Sequence, residues 1–205
     1  MHTKQPIFIT GIGTGIGKTI ISAIITEKLK ADYWKPIQSG DLDDTDTLKV
    51  QSLISNDISY FYPEAYRLTQ PFSPHKSAAL DNITIDIRNI IAPETGNQLI
   101  IEGAGGLMVP LNDNFLMIDV IRQLNAKVIL VSQNYLGSIN HTLLSLLALK
   151  SYNIPVMGVI FNGDEDVYSK SYILNYTGVN NLGHIPTYKS ISKETIIEAG
   201  NYITL

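Results

Sequence analysis

A glycine-rich loop that ends in a lysine and a threonine follows the first apolar segment of the chain. It runs from Gly11 to Thr19 and reads Gly-Ile-Gly-Thr-Gly-Ile-Gly-Lys-Thr. Glycines let backbone N–H groups turn toward a polyphosphate, Lys18 can reach the β and γ phosphates, and the Thr19 hydroxyl can ligate Mg²⁺. An apolar strand is predicted before the loop and a helix after it, so the pattern indicates a nucleotide phosphate site. The loop is one residue longer than the common pattern, because the standard first glycine would fall on Ile12.

A second lysine lies in the apolar segment Tyr33–Ile37. A lysine in such a strand is costly unless its ammonium group meets an anion or faces a cavity. Lys35 is therefore predicted either to hold an anionic substrate near the phosphates or to extend to solvent at the sheet edge. Its position alone does not decide between the two. Ser39, just before a turn at Gly40, can offer its hydroxyl to a substrate.

Two carboxylates have positions suited to a metal. Glu102 ends the apolar segment Gln98–Glu102 and is followed by Gly-Ala-Gly-Gly, whose small residues permit close approach of a ligand. Asp46 is predicted to begin a helix after an acidic loop. In proteins with a phosphate loop, such carboxylates approach Mg²⁺ directly or through water. The alternatives are a turn glutamate that caps a helix and, for the other acidic loop residues, a solvated surface.

An asparagine ends a later apolar strand, in Phe161-Asn162-Gly163. Its amide can read a purine edge as donor and acceptor together. Asn-Gly is also a common turn pair, so this signal is weak alone. His75, His141 and His184 have no spacing typical of metal ligands.

These residues are predicted to lie on alternating strands and helices. Strands are predicted at 7–10, 33–37, 98–102, 127–132, 155–161 and 181–185, and helices at 18–30, 46–54, 84–91, 115–124, 138–152, 167–176 and 193–200. Several strands are apolar throughout, which is typical of strands buried on both faces of a parallel sheet. We therefore predict one α/β domain over 1–205, a three-layer sandwich of the P-loop NTPase type: a mostly parallel central sheet with helices on both faces. Residues 57–82 fit no element and are interpreted as an insertion on the active-site side or a long loop.

Composition narrows the function classes. The 205 residues carry a net charge of −4 without a basic cluster, which argues against nucleic-acid binding. The chain has no cysteine, which suits a reducing cytoplasm. No secretory signal peptide is expected, and no apolar run approaches the ~20 residues of a membrane span. Leu143–Leu149, the most apolar helical stretch, is interpreted as core or interface.

Taken together, the motifs resemble the dethiobiotin synthetase family, and the resemblance covers nearly the whole chain. The matching pieces are Gly11–Thr19, Lys35–Gly40, Asp46, Ser73–His75, Glu102–Gly106, Leu136–His141, Asn162 and Ile185–Pro186. The longer phosphate loop is itself a trait of this family. The sequence departs from the family pattern at Gly15, Gly163 and Thr187.

The resemblance implies a role for each site residue. It implies Lys35 and Lys18 as catalytic residues and Thr19, Asp46 and Glu102 as Mg²⁺ ligands. It implies an ATP site of Gly15, Ile16, Gly17, Lys18, Thr19, Ile20, Asp46, Glu102, Gly103, Ala104, Gly105, Asn162, Gly163, Pro186, Thr187 and Tyr188. It implies that the substrate contacts Ser39, Gly137, Ile139 and Asn140.

The resemblance also implies the reaction and the assembly. The reaction would convert 7,8-diaminopelargonic acid, CO₂ and ATP to dethiobiotin through a carbamate and a carbamic–phosphoric anhydride, with Mg²⁺ as cofactor. The protein would be a homodimer in which the 137–141 turn holds the substrate's carboxylate tail near the interface.

Two other classes share the phosphate loop. Partitioning and division-site ATPases carry a second lysine early in the loop, where this chain has Gly13, and the sequence shows no basic amphipathic tail for a lipid surface. Glutamine-dependent amide ligases of similar fold need an additional amidotransferase domain, for which 205 residues leave no room.

Overall fold

The computed structural model describes residues 4–205, and its centre is a sheet of seven parallel strands. The strands are β1 (Ile7–Gly11), β2 (Asp32–Trp34), β3 (Ile37–Ser39), β4 (Phe61–Tyr62), β5 (Tyr66–Leu68), β6 (Leu99–Gly106), β7 (Lys127–Gln133), β8 (Val156–Asn162) and β9 (Asn181–Ile185). The large sheet has the order β4-β2-β6-β1-β7-β8-β9, while β3 and β5 pair separately. The predicted fold class is confirmed.

Helices follow most of the strands. They are α1 (Lys18–Leu29), α2 (Asp46–Leu53), α3 (Pro74–Leu80), α4 (Met117–Gln123), α5 (Ser138–Ser151), α6 (Val167–Thr177) and α7 (Lys193–Ala199). Single 3₁₀ turns occur at Ile87–Asn89 and Gly200–Tyr202. Six of the seven predicted helices are present, with ends within two residues of the predicted ones.

The sheet is buried on both faces. Along β1, Ile7 and Ile9 pack with the buried side of α1, whereas Phe8 between them packs with α4 residues in a second cluster. Successive side chains on a strand point to opposite faces, so both clusters need apolar residues from the same strand. This explains why the sequences of these strands are apolar at consecutive positions.

The predicted strand 33–37 is wrong in its second half. The chain forms β2 only as far as Trp34, and after Lys35 and Pro36 it enters β3, which pairs with β5 outside the main sheet. Pro36 has no N–H to donate to a sheet ladder, so the strand breaks there. The break leaves Lys35 between the two sheets, at the carboxyl end of β2.

The predicted helix 84–91 is also wrong. The structure has only the 3₁₀ turn Ile87–Asn89, and the Asp86 side chain accepts a hydrogen bond from the Arg88 N–H. Ile85, Ile87 and Ile90 are buried, a spacing that this turn satisfies without a continuous helix.

Residues 57–82 are not one long loop, because they contain β4, β5 and α3. Helix α3 begins at Pro74 after Ser73, and a proline in the first helical turn is a common start signal. Within residues 4–205, none of the helices is both long and apolar enough to cross a membrane.

Candidate active site

The phosphate loop joins the carboxyl end of β1 to α1. Gly17 precedes the first residue of α1 in a left-handed conformation (φ 90°), which glycine adopts without strain. A glycine offers no side chain to cap the helix, so the first N–H groups of α1 remain available to an anion. Gly15 is also left-handed (φ 74°), so the loop can fold around a polyphosphate.

Lys18 opens α1 and turns back over the loop. Its Nζ donates a hydrogen bond to the Gly13 carbonyl oxygen at 2.9 Å, and the residue is buried. Burial lowers its pKa from 10.5 to about 8, the charge of Lys35 adds to this lowering, and Glu102 and Asp46 oppose it. Phosphate oxygens near this amine would favour its charged form.

Lys35 lies between the two predicted metal carboxylates. Its Nζ forms ion pairs with Asp46 Oδ2 and, at 3.4 Å, with Glu102 Oε1. The Thr19 hydroxyl donates to the same Glu102 Oε1 at 2.9 Å. Lys35 is only 4% exposed, which excludes the alternative in which its ammonium group extends to solvent.

The charges in this cluster stabilise one another. Burial lowers the pKa of Lys35, but the carboxylates of Glu102 and Asp46 outweigh burial and hold it above the usual value. Burial likewise raises the pKa of Asp46, but the Lys35 charge outweighs it and holds the Asp46 pKa below the usual value. At neutral pH, Lys35 and Asp46 are therefore both charged.

The same cluster has the donors that Mg²⁺ prefers. Thr19, Asp46 and Glu102 offer oxygen atoms only, and Mg²⁺ is usually bound by one or two carboxylates together with waters and substrate phosphates. The Lys35 ammonium group already places a cation between these carboxylates. Among residues 4–205, there is no group of three or more His, Asp or Glu residues that could hold a metal. Thr19, Asp46 and Glu102 supply too few ligands to hold a metal by themselves. They fit a magnesium ion for which a bound nucleotide supplies further oxygen ligands.

Asn162 ends β8 beside the phosphate loop. Its Nδ2 donates to the Ile16 carbonyl oxygen at 2.9 Å, and a Cβ on Gly17 would lie 2.3 Å from the same Nδ2. The amide therefore contacts the loop directly, and Oδ1 is left to accept from a ligand. Asn162 is thus more than a turn residue, because its side chain also holds the phosphate loop by this hydrogen bond.

The other predicted base-site residues lie near this strand end. Asn162 pairs in register with Ile185, the last residue of β9, so Pro186 and Thr187 follow at the adjacent strand end. The Thr187 hydroxyl donates to Asp164 Oδ1 at 3.0 Å. Tyr188 packs against the core, and its buried hydroxyl has no hydrogen-bond partner among residues 4–205.

The predicted substrate residues occupy two places. Ser39 is the last residue of β3. Its hydroxyl is buried and has no hydrogen-bond partner in the described part of the chain. Gly137, Ile139 and Asn140 form the start of α5 and line a groove with Tyr172. The groove beside the phosphate loop is a different one, lined by Thr14 and Met108 among others. Helix α5 lines both grooves: Gly137, Ile139 and Asn140 lie along the first, whereas His141 and Leu144 lie along the second, beside the phosphate loop.

Tyr33 is a site residue that the sequence interpretation missed. It is fully buried in β2, and its hydroxyl donates to Glu102 Oε2 at 2.9 Å. Burial, followed by the Glu102 charge, holds its pKa well above the usual value, so the hydroxyl stays a donor. A buried tyrosine usually finds a partner for its hydroxyl. The sequence did offer a signal for this role, because Tyr33 lies in a strand predicted to be buried, two residues before Lys35, and its hydroxyl would need a partner there.

The sequence of this chain matches those of known proteins along most of its length. The family model described as "AAA domain" matches residues 5–195. The chain is 54% identical to the ATP-dependent dethiobiotin synthetase BioD of Christiangramia forsetii, over 87% of this chain and 86% of that protein. It is 49% identical to the protein of the same name from Cytophaga hutchinsonii, over 92% of each chain.

Solved structures share the fold at low identity. A ParA family ATPase from Chlorobium tepidum superposes with a TM-score of 0.62 at 14% identity, over 96% of this chain and 98% of that one. The septum site-determining protein MinD of Pyrococcus horikoshii, complexed with Mg-ADP, gives 0.60 at 15% identity, over 95% and 86%. These likenesses concern the fold alone. The identity to the synthetases over most of both chains shows that this chain belongs to the ATP-dependent dethiobiotin synthetase family.

Proposed function

We propose that this chain is the enzyme that carboxylates 7,8-diaminopelargonic acid with CO₂ and closes the ring to dethiobiotin, consuming ATP. Family membership supports the reaction. The observation that carries the proposal is the cluster at the phosphate loop, where Lys18, Lys35, Asp46 and Glu102 meet at the carboxyl ends of parallel strands. In this proposal its two cations lie where the carbamate and the triphosphate approach each other.

The proposed chemistry has three steps. One amine of the diamine attacks CO₂ and loses a proton, which gives a carbamate. A carbamate oxygen then attacks the γ phosphorus of ATP, the bond to the β-phosphate oxygen breaks, and ADP leaves. The second amine attacks the carbonyl carbon of this mixed anhydride, the bond to the phosphate oxygen breaks, and the cyclic urea forms with release of phosphate and a proton.

The residues of the cluster act mainly through charge and position. We assign Lys18 to the β and γ phosphates and Lys35 to the carbamate and the transferred phosphoryl group. Two anions repel each other in this step, and preorganised cations offset that repulsion in a site shielded from water. Holding the second amine in line with the anhydride supplies much of the remaining acceleration. Ser39, with its unpaired hydroxyl, is assigned to the diamine.

A magnesium ion held by Thr19, Asp46 and Glu102 would neutralise charge on the β and γ phosphates. For it to be bound, the ammonium group of Lys35 must leave its position between Asp46 and Glu102. Lys35 would then be available to the carbamate.

The absence of cysteine suits the cytoplasm as the place of this reaction.

The direct test is product formation. The purified protein is incubated with ATP, Mg²⁺, bicarbonate and the diamine, and the cyclic urea is detected by mass spectrometry. Product and ADP should appear in equal amounts and only with all components present. ATP hydrolysis without the urea would contradict the proposed reaction.

Asp46 and Glu102 are expected to act on one magnesium ion. Asp46→Asn and Glu102→Gln should each raise the Mg²⁺ concentration that gives half-maximal activity, about 10-fold or more. In the double variant this Mg²⁺ concentration should rise far less than the two single effects combined would predict, because the residues act as a unit. A magnesium titration at fixed ATP measures this. Asp44→Asn is the control, since Asp44 is an exposed neighbour in the same acidic segment. Additive losses, or an unchanged titration, would argue against a shared ion.

Asn162 is expected to serve the phosphate loop as well as the base. Because its Nδ2 holds the Ile16 carbonyl, Asn162→Ala should weaken binding of inorganic tripolyphosphate as well as ATP, each by about 3- to 10-fold. Thr187→Ala is the control, because Thr187 bonds Asp164 and not the loop. It should leave tripolyphosphate binding unchanged. Calorimetry with both ligands measures this, and a loss confined to ATP would show that Asn162 reads only the base.

A homodimer is proposed from the apolar face of α5. Leu144 and Leu147 of α5 are 55% and 63% exposed, and Leu136, two residues before the helix begins, is 105% exposed. An exposed apolar patch of this kind marks an interaction surface. The adjacent start of α5 holds Gly137, Ile139 and Asn140, so a partner seated here could bring these residues to the other subunit's substrate. This would explain why Gly137, Ile139 and Asn140 line a groove other than the one beside the phosphate loop of their own chain.

Leu147→Glu is expected to dissociate the dimer. A charge in an apolar interface is unpaired and costly, so the apparent dissociation constant should rise at least 100-fold. Light scattering coupled to size exclusion measures the mass. Leu80→Glu, on α3, is the control because Leu80 is similarly exposed. A wild-type monomer, or a dimer that survives Leu147→Glu, would contradict this interface.

A further inference from the structure

The carboxylate of Glu102 is held at both of its oxygens. Oε1 accepts from the Thr19 hydroxyl at 2.9 Å and lies 3.4 Å from the Lys35 ammonium group. Oε2 accepts from the Tyr33 hydroxyl at 2.9 Å, its one hydrogen bond among residues 4–205. Oε1 therefore faces the proposed metal and phosphate site, while Oε2 faces a buried phenol.

Tyr33 is itself rigidly placed. It lies in β2 between two parallel neighbours, in register with Ile100 of β6 and Phe61 of β4. Its ring packs near the Phe61 ring, with 5.9 Å between the ring centres, and no part of the residue is exposed. Glu102 is 1% exposed. Water therefore cannot easily replace the hydroxyl as the donor to Oε2.

We propose that Tyr33 is a positioning residue of this enzyme, which holds the Glu102 carboxylate so that Oε1 points at the bound magnesium–nucleotide complex. This inference rests on the proposed function, since it deepens the role of Glu102 there. In this proposal Tyr33 makes no contact with the nucleotide or the reacting atoms. It acts through Glu102, as groups that hydrogen-bond a metal ligand orient that ligand and tune its affinity for the metal.

Loss of the hydroxyl should have a specific signature. In Tyr33→Phe the ring still fills its place, but Oε2 is left buried without a donor, and the carboxylate can turn away from the site. Loss of such an outer partner typically costs 10- to 100-fold in metal affinity. We therefore expect the Mg²⁺ concentration for half-maximal binding of a non-hydrolysable ATP analogue to rise about 10-fold. Turnover at saturating Mg²⁺ should fall less than 3-fold.

The experiment measures binding of the ATP analogue by calorimetry over a range of Mg²⁺ concentrations, without the diamine or CO₂. Tyr66→Phe is the matched control, because the Tyr66 hydroxyl makes two structural hydrogen bonds with the Asp86 backbone and none with Lys35, Asp46 or Glu102. It should lower stability without moving the Mg²⁺ dependence. An equal shift in both variants, or an unchanged Mg²⁺ dependence in Tyr33→Phe, would overturn the proposal.

A double-mutant cycle separates positioning from a general loss of structure. In a Glu102→Gln background, Tyr33→Phe should shift the Mg²⁺ dependence by less than 2-fold, because its effect passes through the carboxylate. A full 10-fold shift in that background would overturn the proposal. Because these measurements use only nucleotide and metal, a failure of dethiobiotin formation would be seen separately and would contradict the proposed reaction instead.

Discussion

Lys18→Ala is expected to lose on the order of 10³-fold or more in turnover, together with much of the affinity for ATP. In the structure the Lys18 ammonium group is buried over the phosphate loop and donates to the Gly13 carbonyl oxygen. A triphosphate in the loop would meet this amine directly. Removing a preorganised charge at the transferred phosphoryl group removes one of the largest contributions to catalysis. Steady-state kinetics and nucleotide calorimetry measure the two losses.

Lys28→Ala is the matched control for this variant. Lys28 lies on the same helix, and its Nζ also donates to a backbone carbonyl oxygen at 2.9 Å, that of Gly200. This contact is far from the loop, so Lys28→Ala should keep turnover within about 2-fold of wild type. Near-normal turnover in Lys18→Ala would refute the assignment of the loop to phosphates.

The parts of the site that the sequence predicted are those with local signals. The loop from Gly11 to Thr19 carries its chemistry in consecutive residues, and the strand before it and helix after it are marked by apolar runs. Parallel strands bring their carboxyl ends to one edge of the sheet. The strand-end positions of Lys35, Glu102 and Asn162 therefore made them candidates for this edge, and the family resemblance implied their roles, although none is near the loop in sequence.

The parts that the sequence did not predict depend on contacts across the fold. A proline ends the strand at Trp34, but nothing local indicates that the chain re-enters a second small sheet, which depends on pairing between β3 and β5. The bond from Tyr33 to Glu102 joins residues 69 positions apart. Lys35 is buried between two carboxylates. Its local sequence could not show this, because a lysine at a strand end has the same sequence pattern whether its ammonium group is buried or exposed.

Burial of Lys35 makes its removal informative about stability as well as about chemistry. Lys35→Met leaves Asp46 and the fully buried Glu102 without their counter-ion. Breaking a buried ion pair in this way costs about 3 kcal/mol, and for a chain of this size that lowers Tm by roughly 6–12 °C. In excess Mg²⁺ and ADP, a divalent cation held by the same carboxylates should restore most of the loss. Thermal melts with and without Mg²⁺ and ADP measure both effects.

Lys49→Met is the control for stability. Lys49 pairs with Asp44 at 3.4 Å on the surface, and such exposed pairs contribute at most about 1 kcal/mol. Its Tm should change little, and the change should not depend on Mg²⁺. A Lys35→Met protein that is as stable as wild type without metal would show that the Lys35 ion pairs are not formed in solution.

The catalytic effect of Lys35→Met should be larger than its effect on stability. With Mg²⁺ present the variant should bind ATP nearly as well as wild type, because Lys18 and the loop hold the phosphates. It should nonetheless form dethiobiotin at least 100-fold more slowly, since the Lys35 charge matters most when carbamate and phosphoryl group are joined. Lys35→Arg should rescue poorly, because a planar guanidinium group cannot take the place of a compact ammonium group at the carbamate. Product formation by Lys35→Met within a few-fold of wild type, at saturating Mg²⁺ and ATP, would remove Lys35 from the mechanism and leave it a structural counter-ion.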